Sequence, residues 1–381
     1  NPEGKAGGET SQRFRKRHGQ GPGKVDPQKL PYYVLIVGSP AEISFKFQYG
    51  LDAEHAVGRL YFDDDTNYAA YVKSLLTYEA LANQPRARRV AIFSPANPGD
   101  EASGLSATEL AEPLSKVLDN KSLKLENGDA VEYRTELING AGATKAALSN
   151  LLTRATNQPA LIFTASHGLG FPRGDSRQIP EQGALVCQDW PGPVNWPEGQ
   201  AIPESMYFAG KHLPADARLD GLILFSFACY SAGTPQLEDF AYLKQQKPEE
   251  LAPQPFVSQL AQRILAQGAM AFIGHVEKAW DYSFLWEGVG RDIGTFQSTI
   301  EAILKGKPVG HALEYFNYRY LNLARELTES EEEGMLAQYN LGEPIDPAEL
   351  VGLWTAHNDA RAYVLYGDPF VRINPSVMAM A

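Results

Sequence analysis

Between Arg88 and Glu277 short apolar runs alternate regularly with amphipathic stretches, and few folds accept that alternation. The runs are RRVAIFSP (88–95), DAVEYRTEL (129–137), PALIFTASHG (159–168), LILFSFAC (222–229) and AMAFIGHVE (269–277). A short, continuous hydrophobic run reads as a strand buried on both faces, as in a parallel sheet. Between the runs lie SATELAEPLSKVLDN (106–120), TKAALSNLLTRA (144–155) and FVSQLAQRILAQG (256–268), with apolar residues at helical spacing. Ser106, with Glu109 three residues on, has the spacing of a capping box; Thr144 opens the second helix and Gly268 stops the third. Strand, helix, strand in this order predicts an α/β fold. Its central sheet is mostly parallel, with right-handed crossovers and helices on both faces.

The flanks are less regular. Residues 1–30 are rich in Gly, Pro, Gln and basic residues and read as a disordered basic lead-in or linker, with Arg13, Arg15, Lys16 and Arg17 in a solvated tail. Residues 31–87 hold a strand signal, YYVLIVG (32–38), and an Asp-rich helix start at Asp63, Asp64 and Asp65, together an N-terminal α/β subdomain. The main domain is expected over 88–375. Within it, 171–215 is dense in Pro, Gly and Trp and reads as a long, ordered excursion beyond one sheet edge, with GALVCQDW as its one short strand or hairpin. VGHALEYFNYRYLNLARELTES reads as an outer helix, ESEEEG (329–334) as a solvated turn, and AYVLYGDPFVRI as a closing strand with a tight Gly-Asp-Pro turn.

Composition narrows the function. Among 381 residues, 44% are hydrophobic and 21% charged, as in a globular chain with a substantial core. A net charge of −12 argues against nucleic-acid binding and favours a basic partner. Two cysteines, Cys187 and Cys229, exclude a disulfide scaffold and fit a reducing cytoplasm. No run reaches the roughly 18 apolar residues of a membrane span. The first residues lack the apolar core of a signal peptide, and the absence of an initial methionine points to a processed or trimmed chain. No metal or other cofactor is expected: Cys and His are too sparse for a zinc site, so Cys187 reads as structural.

Two of the apolar runs end in reactive residues. PALIFTAS ends in His167-Gly168, and LILFSFA ends in Cys229. Parallel neighbours would put both residues at the carboxyl edge of one sheet, where open α/β sheets bind ligands. A thiol with an imidazole beside it is a nucleophile with its base. The backbone N–H groups of Gly168 and Cys229 are placed to meet a developing oxyanion.

The order and spacing of SHG (166–168), ACYSAG (228–233) and LYGDPFVRI (365–373) resemble the caspase-like cysteine peptidases, in particular their gingipain-like and CHAT-like bacterial branch. The resemblance covers roughly Arg88 to Ile373. It implies a three-layer sandwich and a His–Cys dyad, with His167 as general acid/base and Cys229 as nucleophile. It also implies a thioester acyl-enzyme, a protein or peptide substrate, and latency relieved by an activating partner or by self-cleavage, for which the basic 1–30 stretch is a candidate. It places the pocket for the residue before the scissile bond (P1) near GHVEKAWDYSF. There Trp280 is a candidate wall, and Asp281 and Glu277 are candidate partners of a basic side chain. Asp189 is a third acidic candidate, and the expected preference is for Arg or Lys. His275 reads as structural. Two other readings stand beside this one. One is a serine hydrolase using Ser231, for which the preceding cysteine and Thr234-Pro235 are awkward. The other is a non-catalytic module binding partners through 171–215.

Overall fold

The computed structural model describes residues 7–82, 84–240, 247–286, 288–341 and 347–380. Among these, nine strands form the central sheet: β1 (Tyr33–Val37), β2 (Ala56–Leu60), β3 (Gln84–Ser94), β4 (Arg134–Asn139), β5 (Pro159–Ala165), β6 (Ile223–Phe227), β7 (Ala271–His275), β8 (Tyr363–Tyr366) and β9 (Met378–Ala379). The order is β1-β2-β8-β7-β6-β5-β3, and both β4 and β9 pair with β3. Every pairing is parallel except β7 with β8.

Helices follow the strands: α1 (Ser11–Arg17), α2 (Phe45–Asp52), α3 (Thr66–Glu79), α4 (Glu101–Leu105), α5 (Glu112–Leu118) and α6 (Lys145–Thr153). After them come α7 (Gln178–Glu181), α8 (Gln259–Ala266), α9 (Gly294–Leu304), α10 (Val309–Ala312), α11 (Glu314–Leu341) and α12 (Pro347–Arg361). The two-residue period of a strand sends alternate side chains to opposite layers. Leu161, Phe163, Ile223 and Phe225 face a core made with Leu114, Phe296, Ile300 and Phe316 from α5, α9 and α11. Ile162, Leu224 and Phe272 face the other core, with Leu148 and Leu151 of α6 and Leu260 and Ile264 of α8. The result is the expected mixed α/β sandwich with a mostly parallel sheet between helical layers. Phe225 is fully buried between Phe163 and Phe296, with ring centroids 5.3 and 5.7 Å away; truncation to Ala there costs about 3–5 kcal/mol.

Several local expectations need correction. The helix expected from Ser106 begins earlier, at Glu101, with Asp100 as its cap. Ser106 lies in a π-helical turn, Ser106–Ala111, with its hydroxyl bonded back to the Ala102 carbonyl. Residues 7–30 are not a disordered lead-in. Thr10 caps α1, Phe14 is buried against Phe47, and Arg15 pairs with Glu54; residues 1–6 lie outside the described ones. ESEEEG lies in the middle of α11 rather than in a turn: its glutamates are good helix formers, and a single interior glycine, Gly334, costs only about 1 kcal/mol. The boundary expected near residue 88 falls inside β3, and β1 and β2 extend the same sheet through the β2–β8 pairing. In the 171–215 excursion, GALVCQDW supplies the short strand expected of it, Leu185–Val186, but its partner is Tyr207–Phe208, further along the excursion, rather than a hairpin arm within the same stretch. Asp64 accepts bonds from Thr66 at the start of α3, so the Asp-rich run opens that helix as expected.

Candidate active site

The strands that carry the two reactive residues are neighbours in register, Ile223 opposite Leu161 and Phe227 opposite Ala165. His167 and Cys229 therefore each lie two residues beyond a paired strand end. The Ser166 N–H, donating to the Phe227 carbonyl at 3.1 Å, continues the pairing past the ladder. Both residues line one cleft of about 360 Å³, together with Ser103, Phe227, Lys278, Ala279, Trp280, Asp281 and Phe284.

The turn after Cys229 is strained. Tyr230 has φ +56° and Glu277 φ +70°, a region that costs a non-glycine residue about 1–3 kcal/mol. Two bonds hold the turn: the Tyr230 N–H donates to the Glu277 carbonyl at 2.6 Å, and the Ala232 N–H donates to the His275 carbonyl at 3.0 Å. Gly168 packs so closely on Cys229 that a Cβ would collide with the Cys229 carbonyl; it is glycine for close approach, not for a left-handed φ. A short antiparallel run fixes the histidine segment, the His167 carbonyl accepting from Val186 N–H and Leu169 N–H donating to the Ala184 carbonyl. Among the described residues, neither the Gly168 nor the Cys229 N–H donates to another residue.

His167 has a partner that sequence reasoning missed. Its Nε2 lies 2.7 Å from Asp100 Oδ2. Asp100 also accepts the Ser103 N–H at 3.0 Å. Burial pushes the Asp100 carboxyl up, but the bonds from His167 and Ser103 outweigh it, so it sits below the ordinary carboxylate range. An ionised carboxylate can only accept, so Nε2 carries the ring proton and Nδ1 is left as the basic nitrogen. Trp190, at 6.3 Å between ring centroids, stands edge-on to the imidazole.

The surroundings of the thiol favour its neutral form. Burial raises the Cys229 pKa and the charge of Asp359 adds to it, against the Ala279 N–H, which points at Sγ at 3.4 Å. Among the described residues no hydrogen bond joins His167 to Cys229, so the pair is close but not engaged.

Asp359, near the end of α12, is the second group missed. It is buried, and it fixes the cleft wall by accepting from the Trp280 N–H at 2.9 Å and from the Ser283 hydroxyl. His275 is buried and bonded to the Asp359 carbonyl at 3.0 Å, a structural histidine as expected.

Two acidic candidates for the pocket fall away. Asp189 accepts the Lys145 N–H at 2.7 Å, at the start of α6, and does not line the cleft. Glu277 is 1% exposed and turned inward, with one oxygen accepting the Asp239 N–H at 2.8 Å and the other unpartnered; burial raises its pKa to about 8. Trp280 and Asp281 remain in the cleft wall. Ser231 is fully buried, donating to the Ser226 carbonyl and accepting the His275 N–H, which leaves it no access to a substrate. Cys187 is buried with its pKa pushed up to about 12, an inert thiol.

No protein-family model matches the chain, and no curated protein shows significant similarity to it. Among solved structures it is similar to one described as a protease, with a TM-score of 0.46 and 13% identity over 90% of this chain and 64% of that one. It is also similar to a chain of the Saccharomyces cerevisiae separase–securin complex, with a TM-score of 0.33 and 12% identity over 85% of this chain and 15% of that one. The chain thus spans less than two thirds of either protein. The functional reading rests on the site itself.

Proposed function

We propose that the chain is a caspase-like cysteine endopeptidase that cleaves protein substrates after a basic residue. The observation that carries the reading is the meeting of His167 and Cys229 in one cleft at the carboxyl ends of adjacent parallel strands. His167 Nδ1 takes the proton from Cys229 Sγ as the thiolate forms a bond to the scissile carbonyl carbon. The oxyanion is met by the N–H groups of Gly168 and Cys229, donors worth about 10²–10³ in rate each. The tetrahedral species collapses as His167 passes the proton to the leaving amine, and a thioester remains. Water, deprotonated by the same imidazole, then hydrolyses it.

Asp100 is the positioning residue that holds the ring and fixes its tautomer. Asp281, exposed at the cleft wall, is the partner proposed for an Arg or Lys side chain, with Trp280 as the apolar wall. Lys278 lies in the same cleft, but Glu238 pairs with it at 2.7 Å and neutralises its charge. Two features support latency: burial favours the neutral thiol, and among the described residues no hydrogen bond joins His167 to Cys229. Self-cleavage within 11–17 is disfavoured, since α1 must unwind to enter a cleft. Among the described residues no helix is long and apolar enough to cross a membrane.

The test is hydrolysis of fluorogenic peptides with P1 Arg, Lys, Asp, Leu and Ala, by the wild type, Cys229→Ala and Asp281→Asn. Cleavage after Arg or Lys that is lost with Cys229, and whose preference weakens with Asp281→Asn, supports both parts. A preference unchanged by Asp281→Asn removes the acidic pocket. If Cys229 is neither required nor labelled by a thiol-reactive peptide probe, the non-catalytic reading replaces this one.

A further inference from the structure

The chain segment that walls the cleft does not end there. Trp280, Asp281 and Phe284 line the cleft, and Trp286, two residues on, lines a second groove of about 360 Å³. This groove lies between the Leu285–Trp286/Gly290–Arg291 hairpin, the start of α9 and the first turns of α11. Its lining includes Trp286, Val289, Asp292, Tyr315, Tyr318 and Glu326. The aromatic side chains are unusually open for their size: Tyr318 is 69% exposed and Tyr315 46%.

The groove is fixed to the cleft wall. Arg319 donates to the Tyr282 carbonyl, lies 5.8 Å over the Trp286 ring and reaches Asp292 at 3.9 Å. Arg291 of the hairpin pairs at 3.3 Å with Glu109, in the π-helical turn that begins at the cleft-lining Ser106. Arg319 is thus committed to the wall, while Glu326 and the open faces of Tyr315 and Tyr318 are not.

We propose that this groove is a second substrate-binding site, which takes a basic side chain of the polypeptide being cleaved. The inference rests on the peptidase reading and deepens its substrate class. Two arguments select the occupant. Asp292 is already met by Arg319, so the carboxylate left for a ligand is Glu326; with the two open tyrosine rings it suits an Arg or Lys, by charge and by cation–π contact. The groove also continues the wall of the cleft that holds the scissile bond: from Asp281 to Trp286 the wall advances by at most about 17 Å, at about 3.4 Å per residue. Asp281–Ser283 is a 3-10 turn, which shortens the span, so an extended substrate covers it with about four to five residues. The preferred substrate therefore carries two basic positions about four to five residues apart, one at the bond cleaved and one in the groove.

The experiment uses the full chain and peptides with P1 Arg: a tetrapeptide, and the same peptide extended by seven residues at either end with a single Arg four or five positions from P1. Controls carry Ala at the distant position. For one of the two extensions, the distant Arg is expected to lower KM about tenfold relative to its Ala control, with kcat little changed. The paired variants Tyr318→Ala and Glu326→Gln are expected to erase that difference. The same peptides bound to Cys229→Ala, read by fluorescence anisotropy, report on the groove without the chemistry. If the peptides are not hydrolysed yet distant Arg strengthens binding and the groove variants abolish it, the groove stands and the peptidase reading falls. If neither extension gains from Arg in KM or in binding, or the gain survives both variants, the proposal is overturned.

Discussion

Asp100→Asn separates the two tasks of Asp100. The carboxylate caps α4 through the Ser103 N–H at 3.0 Å and holds His167 Nε2 at 2.7 Å. Asparagine is as good a cap as aspartate, so the helix start loses little, at most a few tenths of a kcal/mol. What is lost is the charge that fixes the imidazole tautomer and stabilises the imidazolium formed as the thiol is deprotonated. A hydrogen bond to a charged group contributes about 1.5–3 kcal/mol, which corresponds to roughly 10–150-fold in rate. The assay is kcat/KM on a P1-Arg peptide from pH 2.5 to 9, beside a thermal melt. The expected result is a loss in that range, carried by kcat, with a modest drop in melting temperature near neutral pH, because the ionised carboxylate also stabilises the fold there. The wild type also has an acid limit set by this group. The folded pKa of Asp100 lies below its ordinary value, so its contribution is intact above about pH 4 and is lost as the pH falls further. Asparagine does not titrate, and its profile lacks that component. Activity equal to or above wild type would refute the reasoning, because it would mean that Asp100 holds the histidine away from work rather than in place for it.

Other substitutions test the surrounding argument. Ser231→Ala should keep peptide hydrolysis but cost roughly 1–2 kcal/mol in denaturant unfolding, since it leaves the buried His275 N–H without an acceptor; loss of activity in a folded variant would restore the serine reading. Gly168→Ala forces a Cβ into the Cys229 carbonyl and should lower kcat by about 10² or more, and a fully active variant would show that this close approach is dispensable. Glu277→Gln should change the pH dependence of stability. The folded pKa, near 8, lies above the unfolded value, so the wild type loses stability as pH rises from about 4.5 to 8. The glutamine variant should melt higher than wild type at pH 8 and show a flatter curve below it; a parallel curve would show that Glu277 is not the titrating group.

What the sequence made legible, and what it did not, follows from the range of the interactions. PALIFTA and LILFSF are apolar without a break because both faces of a parallel strand are covered, so the strands and their reactive ends could be placed at once. Asp100 was hidden because its partner is 67 residues away and SPANPGDEASG reads as any strand-to-helix loop. The Asp followed three residues later by Ser103 was a usable cap signal, but Ser106 and Glu109 mimicked a better one. Asp359 was hidden in the same way, as one polar residue in a helix whose buried face is not uniformly apolar. Residues 7–30 were misjudged because composition weighs every residue equally, whereas one buried side chain, Phe14, and one ion pair, Arg15 with Glu54, are enough to seat a two-turn helix. Glu277 and Asp189 shared with Asp281 the property of being acidic near the motif; only their orientation divides them.

The pairing of β2 with β8 bears on how far the chain can be shortened. β8 is the strand at which the parallel series reverses, and without β1 and β2 it would be the margin of the sheet, carrying Val364 and Leu365, both fully buried as the protein stands. Gly58 of β2 sits where a Cβ would collide with the Gly367 carbonyl and crowd Pro369, so this seam is fitted to backbone contact. A fragment starting near Arg88 would keep both reactive residues and the cleft yet present an open, apolar, hydrogen-bonding edge, which invites strand addition between molecules. The smallest piece that can stay dispersed in solution therefore begins before Tyr33, far upstream of the alternation that announces the fold.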